Sequence, residues 1–417
     1  MFTTNKEEPI MFTKTIREKS GDKTIFCYDR VPENQSEEMQ VVFNTCLKIA
    51  NDFIEYVYSR YKPVFNKITK PNVYLCFDPN DVSHINAFTD GSDIFVYGAT
   101  FIGMESYITE RLSTDNTDGS KIFIAGMEDA SIMKIREYLI EIIVAHELIH
   151  IWHSHGIWKR TVLPISGTDH DEAVLFDEIT DISEDNSSST FPIMSDDLFG
   201  ALSFNQKNLI QQVLEIDSDC GAINLVLKKI IDDAAPIVRG ATQEQDEEKQ
   251  RKLDFSIFYQ RKLIGFLVAA SGLMCGFFDC EIFKGDYFKS LNCLDSFSHP
   301  LPSIRFYKMK LTINTVLYTI FDEEQIVSEL LADDYTFRTE IFSHDKDGNK
   351  DTRNCFWTPV FTKEAQEHIV KLEEGWNTIH DTVALFSKIA VPEKFSADSM
   401  RIPDGNILFD SDGNWVG

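Results

Sequence analysis

Two histidines four residues apart, His146 and His150, are the side chains of this sequence best suited to chemistry. They belong to the run His146-Glu147-Leu148-Ile149-His150, at the end of an apolar stretch with helical periodicity. In a helix, residues at positions i and i+4 lie on one face, about one turn apart. Both imidazoles can therefore bind one zinc ion, and Glu147 can take a proton from a metal-activated water. The motif predicts a zinc site that hydrolyses peptide bonds.

A catalytic zinc site needs a third protein ligand, and the sequence offers two candidates. His153 stands where metzincins carry a glycine, so we expect a carboxylate further along the chain. Glu215 is favoured, because Asp219 lies four residues later on the same helix face and can hydrogen-bond a ligating histidine. The alternative third ligand is Glu178, which has Asp181 three residues after it in a polar segment.

Helices are the main elements that must position these residues. Apolar periodicity predicts helices at about 37–60, 131–155, 205–232 and 255–279. Apolar runs at 73–77 and 94–97 predict strands. His153 and His155 are expected to cap the end of the second helix or to line the cleft. The pattern predicts an α+β fold that is mainly helical, with a small sheet.

Three further segments complete this prediction. Asn34 and Glu37 are predicted to cap the first helix. The polar, acidic stretch 165–198 has no periodicity and is expected to be a lid or a flexible loop. The charge-free run 263–278 is shorter than the roughly 20 residues of a membrane span, so we expect a buried core helix and no membrane span.

The length of 417 residues suggests more than one domain. We predict an N-terminal segment at 1–36, a catalytic domain at 37–310 and a C-terminal region at 311–417. The last region changes to mixed strands and helices rich in aromatic residues, which predicts an α/β extension of unknown role.

Composition bounds the partners and the compartment. A formal net charge of -27 argues against a nucleic-acid partner, because phosphate binding needs a basic surface. The eight cysteines are scattered and form no CxxC pair, which indicates reduced thiols and a cytoplasmic location. The first ten residues contain no long apolar run, so no secretory signal is expected.

The ordered set of motifs resembles gluzincin metallopeptidases of the HtpX type and, more closely, the Lit phage-exclusion peptidases. The match covers roughly residues 80–310. The matching features are the segment 86–96, the run 146–150 followed by His155, the run 215–219, the apolar helix after Lys262, and His299-Pro300 with Arg305. Two departures stand inside these motifs: Asp217-Ser218 replaces the usual Glu-Ala, and Phe306 replaces the usual Ile.

The resemblance implies a zincin-like core over 37–310 and zinc as the cofactor. It also implies that His299 and Arg305 lie near the active site, where either can stabilise the oxyanion of the reaction. From the Lit-type peptidases it implies a dormant protease that a phage capsid peptide activates and that cleaves the translation factor EF-Tu. We expect the substrate chain to extend an edge strand near 94–97.

Two other functions stay open at this point. The same chemistry would serve an effector metalloprotease that is secreted and acts in another cell. Alternatively, the zinc is structural and the chain is a non-catalytic sensor or scaffold. The presence of Glu147 argues against the structural alternative, because a structural zinc site needs no base.

Overall fold

The computed structural model describes most of the chain in a series of segments. They are residues 9–18, 21–61, 68–112, 123–124, 126–155, 203–241, 246–283, 288–321, 324–342, 356–397, 400, 402, 407–411 and 413–416. The strands are β1 (Met11–Glu18), β2 (Gly21–Tyr28), β3 (Val73–Phe77), β4 (Ala87–Thr89) and β5 (Ile94–Tyr97). The helices are α1 (Glu37–Arg60), α2 (Gly98–Arg111), α3 (Glu128–Trp152), α4 (Phe204–Ala241), α5 (Asp246–Phe283), α6 (Pro302–Ile320), α7 (Glu324–Leu330), α8 (Asp334–Phe342) and α9 (Lys363–Phe386). The prediction of a mainly helical α+β fold with a small sheet is confirmed.

The five described strands form one mixed sheet in the order β1-β2-β3-β5-β4. β1, β2 and β3 pair antiparallel, β3 and β5 pair parallel, and β4 pairs antiparallel with β5. All four residues of β5 are buried, as expected for an apolar interior strand. The prediction that 94–97 is an edge strand is therefore wrong. The edge strands of the described sheet are β1 and β4, and β4, which lies beside β5, is only three residues long.

Helix α3 runs through the centre of the fold. Every residue from 138 to 152 is buried, because other elements surround the helix. It packs against α1, α4 and α5. A helix that is apolar on all sides must be covered on all sides, which accounts for this central position. Polar residues of this stretch, among them His146, Glu147 and His150, are thus held inside the protein.

Helix α5 supplies a second wall of the core. The segment Ile257–Phe278 is the one described helix long and apolar enough to cross a membrane, and 94% of its apolar window is buried. The run 263–278 is therefore packed inside the protein, as the sequence predicted for a core helix.

The region beyond residue 310 differs from its prediction. Helix α6 crosses the predicted boundary at 310/311, since it extends from Pro302 to Ile320. Among the described residues there, strand-like pairing is limited to two isolated bridges at Phe409. Helix α9 packs on α4 through a second apolar cluster to which Leu214, Trp376 and Ile379 belong. The predicted α/β character is therefore helical where the structure describes it.

The helix starts show one local correction. Ser36 caps α1, because its Oγ accepts a hydrogen bond from the backbone N–H of Met39. Asn34 and Glu37 were expected to provide this cap. A serine at this position satisfies a donor that the first helical turn leaves unpaired, so the result follows ordinary capping chemistry.

Candidate metal centre

Helices α3 and α4 bring three metal-binding side chains together. His146 and His150 lie one turn apart on α3, and Glu215 projects from the facing side of α4. The Nε2 atoms of the two histidines are 3.0 Å apart. Glu215 Oε2 is 3.2 Å from His146 Nε2, and Glu215 Oε1 is 3.8 Å from His150 Nε2. All three side chains are buried, and their ligand atoms can hold a metal ion.

The spacing of these atoms fits a small divalent ion. Two ligand atoms at about 2.0–2.1 Å from a tetrahedral zinc lie about 3.3 Å apart. The measured separations of 3.0 and 3.2 Å are close to this value, and the carboxylate can rotate to improve the third. Two neutral imidazoles with one carboxylate form a donor set that suits zinc and other transition metals.

Asp219 contacts the Nδ1 side of the His146 ring and so orients the ring. Its Oδ1 lies 2.9 Å from His146 Nδ1, so a carboxylate there requires that Nδ1 carry the hydrogen. The lone pair of the ring is then on Nε2, which faces Glu215 and His150. Arg305 binds the same carboxylate with two nitrogens, Nε at 2.8 Å and Nη2 at 2.9 Å. Burial raises the pKa of Asp219. The charge and hydrogen bonds of Arg305, together with His146, lower it by more, so the pKa lies below its ordinary value.

Two buried carboxylates, Asp219 and Glu215, place negative charge beside His146. Burial alone would lower the pKa of His146, but hydrogen bonds to Asp219 and Glu215 raise the pKa to about 10. The two carboxylates therefore favour a positive charge at the centre of the site. A divalent cation placed between the ring nitrogens and Glu215 would satisfy the same electrostatic demand.

A pocket opens onto this cluster. Glu147 and His299 line it together with His146, Glu215 and Arg305. Its remaining walls come from the edge of the sheet and from apolar side chains of α3 and α5, namely Asn86, Ala87, Ile143, Met274 and Phe278. The carboxylate of Glu147, candidate metal ligands and further polar side chains thus share one cavity with an apolar wall.

A second buried cluster lies at the end of α3. His153 ends the helix and contacts Asp217 through Nδ1. Ser154 has a positive φ of 57°, and the chain turns so that His155 packs against His150. His155 Nε2 lies 3.2 Å from Asp217 Oδ2, and its Nδ1 lies 2.8 Å from His150 Nδ1. His153, His155 and Asp217 are also close enough to hold a metal ion.

The structure brings together most of the residues singled out in the sequence. His146, Glu147, His150, Glu215, Asp219, His299 and Arg305 all lie at or beside one pocket. The alternative ligand Glu178 lies outside the described residues. Asp217 was treated only as a departure from a family motif, yet it contacts both histidines beyond the helix end. The sequence did contain a signal for this role, because Asp217 lies between the two candidate residues Glu215 and Asp219.

Comparison of the whole chain with known protein families, with curated proteins and with solved structures found no match. The residues of the site and their geometry therefore carry the functional conclusion.

Proposed function

We propose that this protein is a zinc-dependent endopeptidase with a zincin-like core. The single observation that carries the proposal is the buried cluster of His146, His150 and Glu215 beside Glu147 in one pocket. A structural metal site is usually closed by four protein ligands, whereas a catalytic site keeps one position open. Three protein ligands and an adjoining pocket fit the catalytic kind.

In the proposed mechanism, His146, His150 and Glu215 hold the metal. When bound, zinc supplies Lewis-acid activation of a water molecule and of the scissile carbonyl group. The carboxylate of Glu147 takes a proton from the attacking water and passes it to the leaving amine nitrogen. Asp219 keeps the hydrogen of His146 on Nδ1, so that Nε2 faces the ion.

His299 is the better of the two proposed oxyanion donors. It lines the pocket, and its Nδ1 lies 3.9 Å from Glu215 Oε2. Arg305 lines the pocket as well, but two of its nitrogens bond to Asp219. We therefore assign Arg305 to the support of Asp219 and His299 to the stabilisation of charge on the substrate oxygen.

The substrate is proposed to be an extended polypeptide. Asn86 and Ala87 line the pocket at the start of β4, an edge strand of the described sheet. An edge strand offers backbone groups that a peptide can pair with. The apolar wall formed by Ile143, Met274 and Phe278 suits an apolar side chain next to the cleaved bond.

The biology remains part of the proposal and rests on the sequence resemblance to Lit-type peptidases. It comprises a cytoplasmic location, activation by a phage-derived peptide and cleavage of a translation factor. Incubation of the protein with EF-Tu, with and without a phage capsid peptide, tests it by mass spectrometry of the products. Cleavage of other proteins without any phage peptide would separate the chemistry from this biology.

The proposed chemistry is tested with Glu147→Gln. Elemental analysis should find about one zinc per chain in both the wild type and the variant, because Glu147 is not a ligand. Cleavage of a mixed peptide library should fall about 10²–10⁴-fold in the variant, since the base is lost.

Glu141→Gln is the matched control, because Glu141 lies on the same helix, is also buried and does not line the pocket. It should keep both zinc and cleavage. Bound zinc with no cleavage by the wild type would favour the structural alternative, and absence of zinc would refute the proposal.

A further inference from the structure

His155 contacts the Nδ1 atom of His150, on the opposite side of the ring from the Nε2 atom that faces His146. We propose that Asp217 and His155 are positioning residues that fix which nitrogen of His150 carries the hydrogen and thereby make its Nε2 a metal ligand. This inference rests on the proposed metal site. It assigns a role to a pair of residues outside the ligand set and to a bond between two histidines.

The first step is the charge contact between Asp217 and His155. Asp217 is buried, and its Oδ2 faces His153 Nδ1 and His155 Nε2. A carboxylate oxygen between two imidazole rings accepts hydrogen bonds and donates none. His155 Nε2 lies 3.2 Å from Asp217 Oδ2, and a carboxylate oxygen at this distance attracts an N–H group and repels a nitrogen lone pair, so the hydrogen of His155 is favoured on Nε2.

In the second step, the position of the hydrogen on His155 determines which nitrogen of His150 carries a hydrogen. A neutral imidazole carries one hydrogen, so His155 Nδ1 holds a lone pair and accepts. His150 Nδ1, at 2.8 Å, must then donate to it. The lone pair of His150 is left on Nε2, which faces His146 Nε2 at 3.0 Å. Ser218 Oγ lies farther from His155 Nδ1, at 3.3 Å, and does not displace this bond.

The backbone holds His155 in place at a cost. Ser154 adopts a left-handed conformation, which is unfavourable for a residue with a Cβ. This turn at the helix end brings the ring of His155 to 4.9 Å from the ring of His150. Local strain of this kind persists only where the surrounding structure maintains it. The contact between the two rings is therefore a built feature of the site.

The same hydrogen bond limits the number of metal ions. A metal on the second cluster would occupy His155 Nε2 and move the hydrogen of that ring to Nδ1. With a metal also on His150 Nε2, two N–H groups would face each other at the 2.8 Å between the Nδ1 atoms. Neutral rings cannot make that contact, so the two clusters exclude each other. The expected content is one metal ion per chain, at His146, His150 and Glu215.

The direct test is long-range ¹H–¹⁵N spectroscopy of zinc-loaded wild-type protein with labelled histidines. We expect His155 to carry its hydrogen on Nε2, and His150 to carry its hydrogen on Nδ1 with zinc on Nε2. A hydrogen on His155 Nδ1, or two zinc ions per chain, would overturn the inference. This readout needs no variant and does not respond to a merely structural role of His155.

A matched pair of variants measures the effect on affinity. His155→Phe should weaken zinc binding about 10–100-fold in a chelator competition, as loss of such outer partners does elsewhere. His153→Phe is the control, because His153 is also buried and also contacts Asp217, whereas the ring that bonds to His150 Nδ1 is that of His155. Thermal melting of both metal-free variants checks that they fold.

The outcomes separate the two proposals. Wild-type affinity in His155→Phe, or an equal loss in both variants, would overturn the positioning role and leave the metal site standing. Absence of zinc from the wild-type protein would overturn the proposed function and the positioning role together.

Discussion

Asp219 links the candidate metal centre to the charge that supports it. One oxygen contacts His146 Nδ1, and the two oxygens together accept the fork of the Arg305 guanidinium. All three side chains are buried, so the negative charge of Asp219 depends on Arg305 for compensation. Lysine cannot replace the fork, because its ammonium group is a point charge.

Removal of Arg305 should therefore act first on stability. In Arg305→Met, the buried Asp219 keeps its contact with His146 but loses both bonds to the guanidinium, and we expect the free energy of unfolding to fall by about 3–5 kcal/mol. Adding Asp219→Asn removes that charge, so the double variant should lose less than the sum of the two single variants. Denaturant unfolding of the four proteins measures the coupling. Additive losses would mean that the pair is not coupled.

At the scale of elements, the site depends on the close approach of α3 and α4. Gly221 on α4 faces Ile149 on α3, and a Cβ at residue 221 would lie 2.7 Å from the Ile149 side chain. Real Cβ atoms do not come this close, so the glycine sets the distance between the two helices. Those helices carry all three proposed metal ligands.

Gly221→Ala should push the two helices apart. We expect a loss of about 1–3 kcal/mol in stability from overpacking and a weaker zinc affinity. Adding Ile149→Ala makes room for the new methyl group, so the double variant should lose less than the sum of the single losses.

Gly265→Ala provides the control, since its Cβ would meet Phe337 at 2.4 Å, outside the pocket-lining residues. It should lower stability but leave the zinc affinity of the folded protein unchanged. Equal zinc affinity in Gly221→Ala would show that the helix spacing does not control the site.

A charged cluster also joins α3 to α4. Lys229 Nζ lies within 3.3 Å of three carboxylates, those of Glu137, Glu141 and Asp233. Burial raises the pKa of Glu141 to about 7, although the Lys229 charge lowers it. The ordinary value is 4.5, so the folded protein holds this proton more tightly than the unfolded chain does.

The stabilisation from the Glu141 proton is complete below about pH 4.5 and is lost as the pH rises through about 7. Glu141→Gln has no such titration. Between pH 5 and pH 8, the variant should therefore lose about 1–3 kcal/mol less stability than the wild type. Chemical denaturation at the two pH values measures the difference. Equal losses would show that Glu141 titrates in the ordinary range.

At the scale of the whole molecule, the C-terminal residues support the two helices of the candidate metal centre. Helix α9 packs on α4, the helix of Glu215. The backbone N–H of Lys388 donates to the carbonyl of Trp152, at the end of α3, at 2.6 Å. Both helices of the site thus contact residues beyond the predicted boundary at 310.

A chain that ends at residue 355 should fold poorly. It would expose the apolar cluster of α4 that Leu214 and Ile216 share with α9. We expect loss of cooperative thermal melting and of zinc binding. Trp415→Ala is the control, because Trp415 is 61% exposed and its removal should change melting little. A shortened chain with full zinc affinity would instead support 311–417 as a separate region.

Local patterns in the sequence determined much of the fold and the composition of the site. The bounds of α1, β3 and β5 agree with the runs predicted for them, because helix and strand periodicity depends on neighbours along the chain. The same periodicity placed His146 with His150, and Glu215 with Asp219, on common helix faces. The ends of the helices around them were predicted less accurately, since α3 is Glu128–Trp152 instead of 131–155 and α4 is Phe204–Ala241 instead of 205–232.

Only the tertiary structure decided which faces meet. His146 and Glu215 are 69 residues apart in the sequence, and no local rule brings their helices into contact. The same is true of three other features of the structure. They are the pairing of Arg305 with Asp219, the position of β4 outside β5 in the sheet, and the contact of His155 with His150. They depend on how apolar surfaces distant in the chain pack against each other, which residue spacing does not encode.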